Sequence, residues 1–156
     1  MTVVKQLLIG WMSVIAIGCL NACGAKRPDH LGGVETTLVP CPKSPNCVSS
    51  AADKHSDQYL APWPLMEVSP SVWDRVVHEV LVLPRTRVIT QTDDYLYVEC
   101  RSQVFGFVDD LELYLQSSVG QIMFRSAARL GYSDFSVNRQ RLEKLRFSLA
   151  SRGLLR

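Results

Sequence analysis

Residues 105–141 read FGFVDDLELYLQSSVGQIMFRSAARLGYSDFSVNRQR, and this stretch decides the fold. Between Phe107 and Leu115, Asp109, Leu111, Leu113 and Leu115 alternate with Val108, Asp110, Glu112 and Tyr114, the period-two pattern of a strand with one apolar face. A turn at Ser117–Gly120 follows, and a second strand then sets Ile122, Phe124 and Ser126 against Gln121, Met123 and Arg125. Past Arg129 the period changes: from about Ser136 to Ser151, Val137, Leu142, Leu145 and Leu149 recur at helical spacing, with Asp134 placed to cap the helix and Gly153 to end it.

Upstream, Arg87–Thr92 and Tyr95–Ser102 form a hairpin around Thr92-Asp93-Asp94, with Leu96, Val98 and Cys100 on one face and Tyr95, Tyr97, Glu99 and Arg101 on the other. Before it, Ser69 can cap a helix whose first residue is Pro70 and whose apolar face is Trp73, Val76, Val77, Val80 and Leu81. Pro84 stops it. These elements predict an α+β domain: an antiparallel sheet of about four strands with two helices packed on one face.

The N-terminus carries an address. Lys5 precedes an apolar run from Leu7 to Leu20, short for a bilayer span but right for the core of a signal peptide. It ends in Leu20-Asn21-Ala22-Cys23, which resembles the lipobox of bacterial lipoproteins, whose cysteine is acylated and becomes the first residue after cleavage. The resemblance implies a signal peptide over 1–22, a lipidated tether over 23–39 and one globular domain over 40–156. Gly24 after the cysteine implies, by the same resemblance, the outer membrane facing the periplasm. A lipid anchor makes the membrane the first partner. The tether GAKRPDHLGGVETTLV has a Gly-Gly and no periodicity, so it reads as flexible, with His30 solvated in it.

In Pro40-Cys41-Pro42-Lys43-Ser44-Pro45-Asn46-Cys47, three prolines hold the chain in turns, and five residues separate the cysteines. In an exported protein this predicts a Cys41–Cys47 disulfide stabilising the domain by about 2 kcal/mol. A zinc site using both thiolates and His55 fits less well, since zinc spacings favour C-x₂₋₄-C, and no metal or other cofactor is expected. Cys100, in a strand pattern, reads as a buried small hydrophobe.

The blocks CPKSPNCVSS, FGFVDD and RSAARLGYSDFSVNRQR together resemble the three signature blocks of domain-of-unknown-function family 1499, found in bacteria and plant plastids, over about residues 38–150. The family pattern is closer to RSASR and GVN, whereas this chain has Ala128 and Ser136 there. Ala128 removes the hydroxyl that a serine nucleophile at that position would need, and Ser136 predicts that no glycine-only geometry is needed there. The family implies no activity, so it transfers no catalytic residue.

Charge is uneven. Residues 24–124 carry eight Lys/Arg against thirteen Asp/Glu, and residues 125–156 carry eight against two. Asp109 and Asp110 should point to opposite faces, while Asp110 and Glu112 share one, about 7 Å apart. Such a pair could serve as acid and base, or else be neutralised by Arg101 and Arg125 across the strands. Asp109, placed among leucines, needs a donor, for which Arg125, Arg129 and Arg139 are candidates. Two functions follow. The first is a non-enzymatic envelope module that binds an anionic small molecule, lipid or protein through Arg125, Arg129, Tyr132, Asp134, Asn138 and Arg139. The second is a periplasmic hydrolase or isomerase using the carboxylates of Asp109, Asp110 and Glu112, alone or with a divalent ion such as Ca²⁺ or Mg²⁺. Walker, HExxH and GxSxG motifs are absent, and His30, His55 and His78 all lie outside the Arg/Asp block. Export argues against nucleic acid as the partner of the basic last helix, whose charges fit a solvated or lipid-headgroup face.

Overall fold

The computed structural model describes residues 25–32 and 37–156. The signal-peptide reading and Cys23 lie outside the described residues. Within them the order is β1 (Cys47–Ser49), β2 (Trp63–Pro64), α1 (Pro70–Leu81), β3 (Thr86–Gln91), β4 (Tyr95–Arg101), β5 (Val108–Gln116), β6 (Gln121–Ala128) and α2 (Val137–Ser151). No described helix is long and apolar enough to cross a membrane.

The fold is α+β, and its centre is the expected meander: β3, β4, β5 and β6 pair antiparallel in sequence order. The sheet has six strands rather than about four. The additional two lie end to end along the outer edge of β6, with Cys47 opposite Ala127 and Trp63 opposite Ile122. Strands of three and two residues are too short to display an alternation, so the pattern could not announce them.

Helix α1 forms as its residues dictate. Ser69 is extended (φ −150°, ψ 157°) and accepts the Val72 amide, Pro70 occupies the first turn, and Trp73, Val76, Val77 and Val80 are buried, whereas Leu81, expected on the same face, is exposed at the helix end. Helix α2 takes its cap from Asp134, whose carboxylate accepts the amides of Asn138 at 2.8 Å and Ser136 at 3.1 Å. Its buried stripe is Asn138, Leu142, Leu145 and Leu149, and Val137 is exposed, contrary to expectation. The steps of four, three and four residues from 138 leave no room for 137 on the same face.

Phe135 (φ 52°) and Ser136 (φ 64°) are both left-handed, so the expectation that position 136 needs no glycine-like geometry is overturned. Two consecutive side chains in this region are strained, by roughly 1–2 kcal/mol each.

One face of the sheet packs on both helices as a hydrocarbon core, in which the Trp63 and Phe124 rings sit 4.3 Å apart. The helices are also tied by a buried carboxylate: Glu79 of α1 accepts from Ser148 of α2 at 2.6 Å and pairs with Arg152 at 2.7 Å. Cys41 and Cys47 are bonded, stapling the proline loop to β1, and Cys100 is free and buried.

The other face is also covered. Residues 25–32, read as part of a tether, lie on it: Leu31 is buried against Tyr95 and Tyr97, and Arg27 reaches Glu99. Gly32 (φ 81°) passes so close that an added Cβ would stand 2.9 Å from the Tyr97 ring. A single leucine among polar residues carries no periodicity, so the sequence pattern held no sign of this strap.

Candidate functional site

The polar face is built by strand parity. Tyr95, Tyr97 and Glu99 of β4 stand beside Asp110 and Glu112 of β5, with Glu99 opposite Asp110 and Tyr97 opposite Glu112. Arg125 of β6 faces Glu112, and Arg129, just past the strand end, has the same parity. Arg129 is the hub. Its Nε donates to both Asp110 oxygens (3.1 and 2.9 Å), and its Nη2 donates to Asp110 at 2.6 Å, Glu99 at 2.7 Å and the Tyr97 hydroxyl at 3.1 Å. Its Nη1 reaches the Ala25 carbonyl of the strap at 3.4 Å. Tyr97 donates to Asp110 and Tyr95 to Glu112, each at 2.6 Å. Arg125 reaches Glu112 at 3.4 Å, while its buried Nε finds no partner among the described residues.

The expected neutralisation is therefore real but differently wired: Arg125 takes Glu112, Arg129 takes Asp110, and Arg101 approaches Glu99 at 3.8 Å.

Electrostatics follow from this wiring. Burial pushes Glu99 upward, but the Arg129 and Arg27 guanidinia outweigh it and hold the carboxyl below its ordinary value. Burial pushes Glu112 up, against the Tyr95 hydroxyl and Arg125. Burial and their carboxylate acceptors raise both tyrosines well above the usual phenol range. Every phenol is committed as a donor and every carboxylate as an acceptor. The cluster locks the sheet to its strap and offers no vacant acid or base.

On the opposite face a second network ties β5 to α2. Asp109 pairs with Arg141 at 2.6 Å, not with Arg125, Arg129 or Arg139. Arg125 and Arg129 have the wrong parity, and Arg139 turns away to the carbonyls of Asp57 and Tyr59. Arg141 also donates to Asn138 (2.5 Å) and Ser126 (3.1 Å), and Asn138 donates to Asp134 at 2.8 Å. Asn46 closes the loop by donating to the Gly131 carbonyl at 2.6 Å. Burial raises Asp109 despite the Arg141 charge.

The residues expected to converge are thus divided. Arg125 and Arg129 lie on the polar face, Asp134 and Asn138 on the helix face, Arg139 beside residues 57–59, and Tyr132 is exposed. Asp109 is on the other side of the sheet from Asp110 and Glu112, so these three form no common centre. Among the described residues no three His, Cys, Asp or Glu side chains stand together as a metal site. Sequence reasoning missed Arg27, Tyr95, Tyr97, Ser126, Asn46 and Arg141 as network members. Strand parity gives the faces of Tyr95, Tyr97 and Ser126, and Arg141 lies three residues from Asn138 on the inward side of α2; Arg27 and Asn46 leave no signal.

A hollow of about 310 Å³ lies on the polar face beside Arg125 and Arg129, and a larger cavity of about 500 Å³ lies at one end of the sheet, between the β4–β5 loop and the strand-to-helix loop. Val104, Phe105, Phe107, Leu130, Phe135 and Val137 give it an apolar wall, and Asp109 and Asp134 reach its lining. Its size is that of a small-molecule site, about 300–1,000 Å³. An adjoining hollow shares Ser102, Gln103 and Val137 with it and adds Arg85, Arg101 and Lys144.

The family model described as "Protein of unknown function (DUF1499)" matches residues 37–149. The chain belongs to that family. No curated protein matches the chain, and no solved structure does.

Proposed function

For this member of the DUF1499 family we propose a non-catalytic binding module of the bacterial cell envelope, acylated at Cys23 and held at the periplasmic side of the outer membrane. Its ligand is an amphiphile: the apolar part fills the cavity under the strand-to-helix loop, and an anionic head meets Arg85, Arg101 and Lys144 at the rim. One observation carries this reading. Among the described residues the buried carboxylates on both sheet faces are already paired with arginines or tyrosines, and Arg125 Nε alone is left over, whereas the apolar cavity is open. Anion recognition by Arg129, expected from sequence, finds less support than recognition at the rim, because Arg129 is fully engaged. The hydrolase or isomerase reading is supported least, since its carboxylates are divided between two faces and bonded.

The test is the melting temperature with a medium-chain fatty acid or lysophosphatidylglycerol below its micelle concentration, and separately with phosphate, Ca²⁺, Mg²⁺ or Zn²⁺. Amphiphile at a hundredfold over Kd should stabilise the chain by about 2.7 kcal/mol. Leu130→Asp, a charge in the cavity wall at a half-exposed position, should abolish the shift and keep the fold. An equal shift in that variant, or none in the wild type, ends the reading. A metal-induced shift lost in Asp110→Asn restores the enzyme. Acylation is tested by mass spectrometry of the mature chain and by release from the membrane on Cys23→Ser.

A further inference from the structure

The apolar wall of the cavity does not stop at its mouth. Val104 is 80% exposed, Phe105 67%, Phe107 45%, Leu130 47%, Tyr132 77% and Phe135 87%. These six belong to two neighbouring loops at one end of the sheet. A contiguous cluster of this kind, unlike a scattered leucine, marks a contact surface. The Phe135 backbone is left-handed (φ 52°), a conformation unusual for a bulky side chain, and its ring stands almost wholly outside the fold.

Position says what the surface meets. The Ala25 carbonyl sits 3.4 Å from Arg129 Nη1, and Leu130 is the next residue. The strap therefore leads the chain to the same end of the sheet as the apolar loops. Cys23 is two residues further, no more than about 7 Å of extended chain. Charge agrees: Arg85, Arg101 and Lys144, all exposed, line the hollow beside the cluster, where anionic headgroups would lie. Aromatic side chains above a basic rim are the composition of a segment seated at a membrane interface.

We propose that the 102–107 and 130–136 loops form a membrane-docking face, which rests on an anionic-lipid bilayer beside the anchor and opens the cavity toward the lipid. The inference rests on the anchored reading above. It adds an orientation and a source: the amphiphile enters from the bilayer and not from solution.

The experiment uses the acylated protein, beginning at Cys23, reconstituted in phosphatidylcholine vesicles containing brominated acyl chains, with or without phosphatidylglycerol. Tryptophan reporters are introduced as Phe135→Trp, Phe105→Trp and, as control, Phe147→Trp, an equally exposed site about 15 Å further along α2. Trp63 and Trp73 are buried and give a constant background. Emission from positions 135 and 105 should shift to the blue and be quenched by brominated lipid, more strongly with phosphatidylglycerol, while position 147 should not respond. Each of Arg101→Gln and Lys144→Gln should weaken docking about fivefold on anionic vesicles. If the vesicles float with the protein but 135 and 105 are quenched no more than 147, the docking face is wrong and the anchor stands. If the protein does not float, anchor and docking face fall together. A blue shift that depends on protein concentration, without quenching, assigns the cluster to a second copy and overturns the proposal.

Discussion

Asp110 and Leu111 are neighbours in β5, equally buried, and they end in opposite surroundings. Leu111 enters the hydrocarbon layer beneath the two helices, where contacts are non-directional and any well-shaped apolar group will serve. Asp110 enters a layer of carboxylates, guanidinia and phenols sealed by the strap, where each group is tolerable only because specific others surround it. Burial alone therefore does not say how a face of this sheet responds to change. The response depends on whether the buried groups can be exchanged one at a time.

The sharpest break comes at the hub. Arg129→Ala leaves Asp110 and Glu99 buried without their shared cation and should cost about 3–5 kcal/mol in chemical denaturation. Arg129→Lys should recover little of that, because an ammonium cannot serve both carboxylates and the Tyr97 hydroxyl in one plane. If Lys restores full stability, the ionic layer is as forgiving as the apolar one. Across the sheet, Leu111→Ala should cost about 2–5 kcal/mol, whereas Leu111→Met should cost under about 1.5 kcal/mol. The contrast between the two conservative changes is the measurement that matters.

Acid should divide the ionic layer itself. Glu99 is held below its ordinary value, so its contribution is complete above about pH 4.3, the unfolded glutamate value, and is lost as pH falls below it. Glu112 is raised, so its carboxyl opposes folding as pH rises through the window above the unfolded value. Glu99→Gln should flatten the acid limb of a stability–pH profile. Glu112→Gln should remove a loss on the neutral side. Matching profiles for the two variants would refute this division. The smallest effect is expected at Ser136→Gly, which should stabilise by about 1 kcal/mol by relieving a left-handed serine.

The core was legible because its instructions are local. Ser69-Pro70 and the 73, 76, 77, 80 spacing specify α1, and alternation specifies the first three strands of the meander to within a residue, while β6 runs on two residues past its last alternating position, Ser126. Parity also said that Asp109 and Asp110 part company. It could not say which cation each would meet, because Arg141 and Arg129 arrive from residues whose direction is set by packing. The strap left still less trace. Leu31 and Arg27 are unremarkable in a polar stretch, and they acquire meaning only when Tyr97 and Glu99 are already in place. The cavity was illegible for a related reason: its wall is shared by two loops whose approach follows from the pairing of β4, β5 and β6.

The two borders of the sheet carry a final consequence. On one side β3 shifts register between Val88 and Thr90, and Arg85 and Arg87 stand along it. On the other, β1 and β2 are brief and discontinuous, with a proline in the latter. Neither border presents a long, straight row of free amides to a neighbour. Molecules crowded side by side in a plane would slide past one another without zipping into fibrils, and could be packed densely while remaining separate particles.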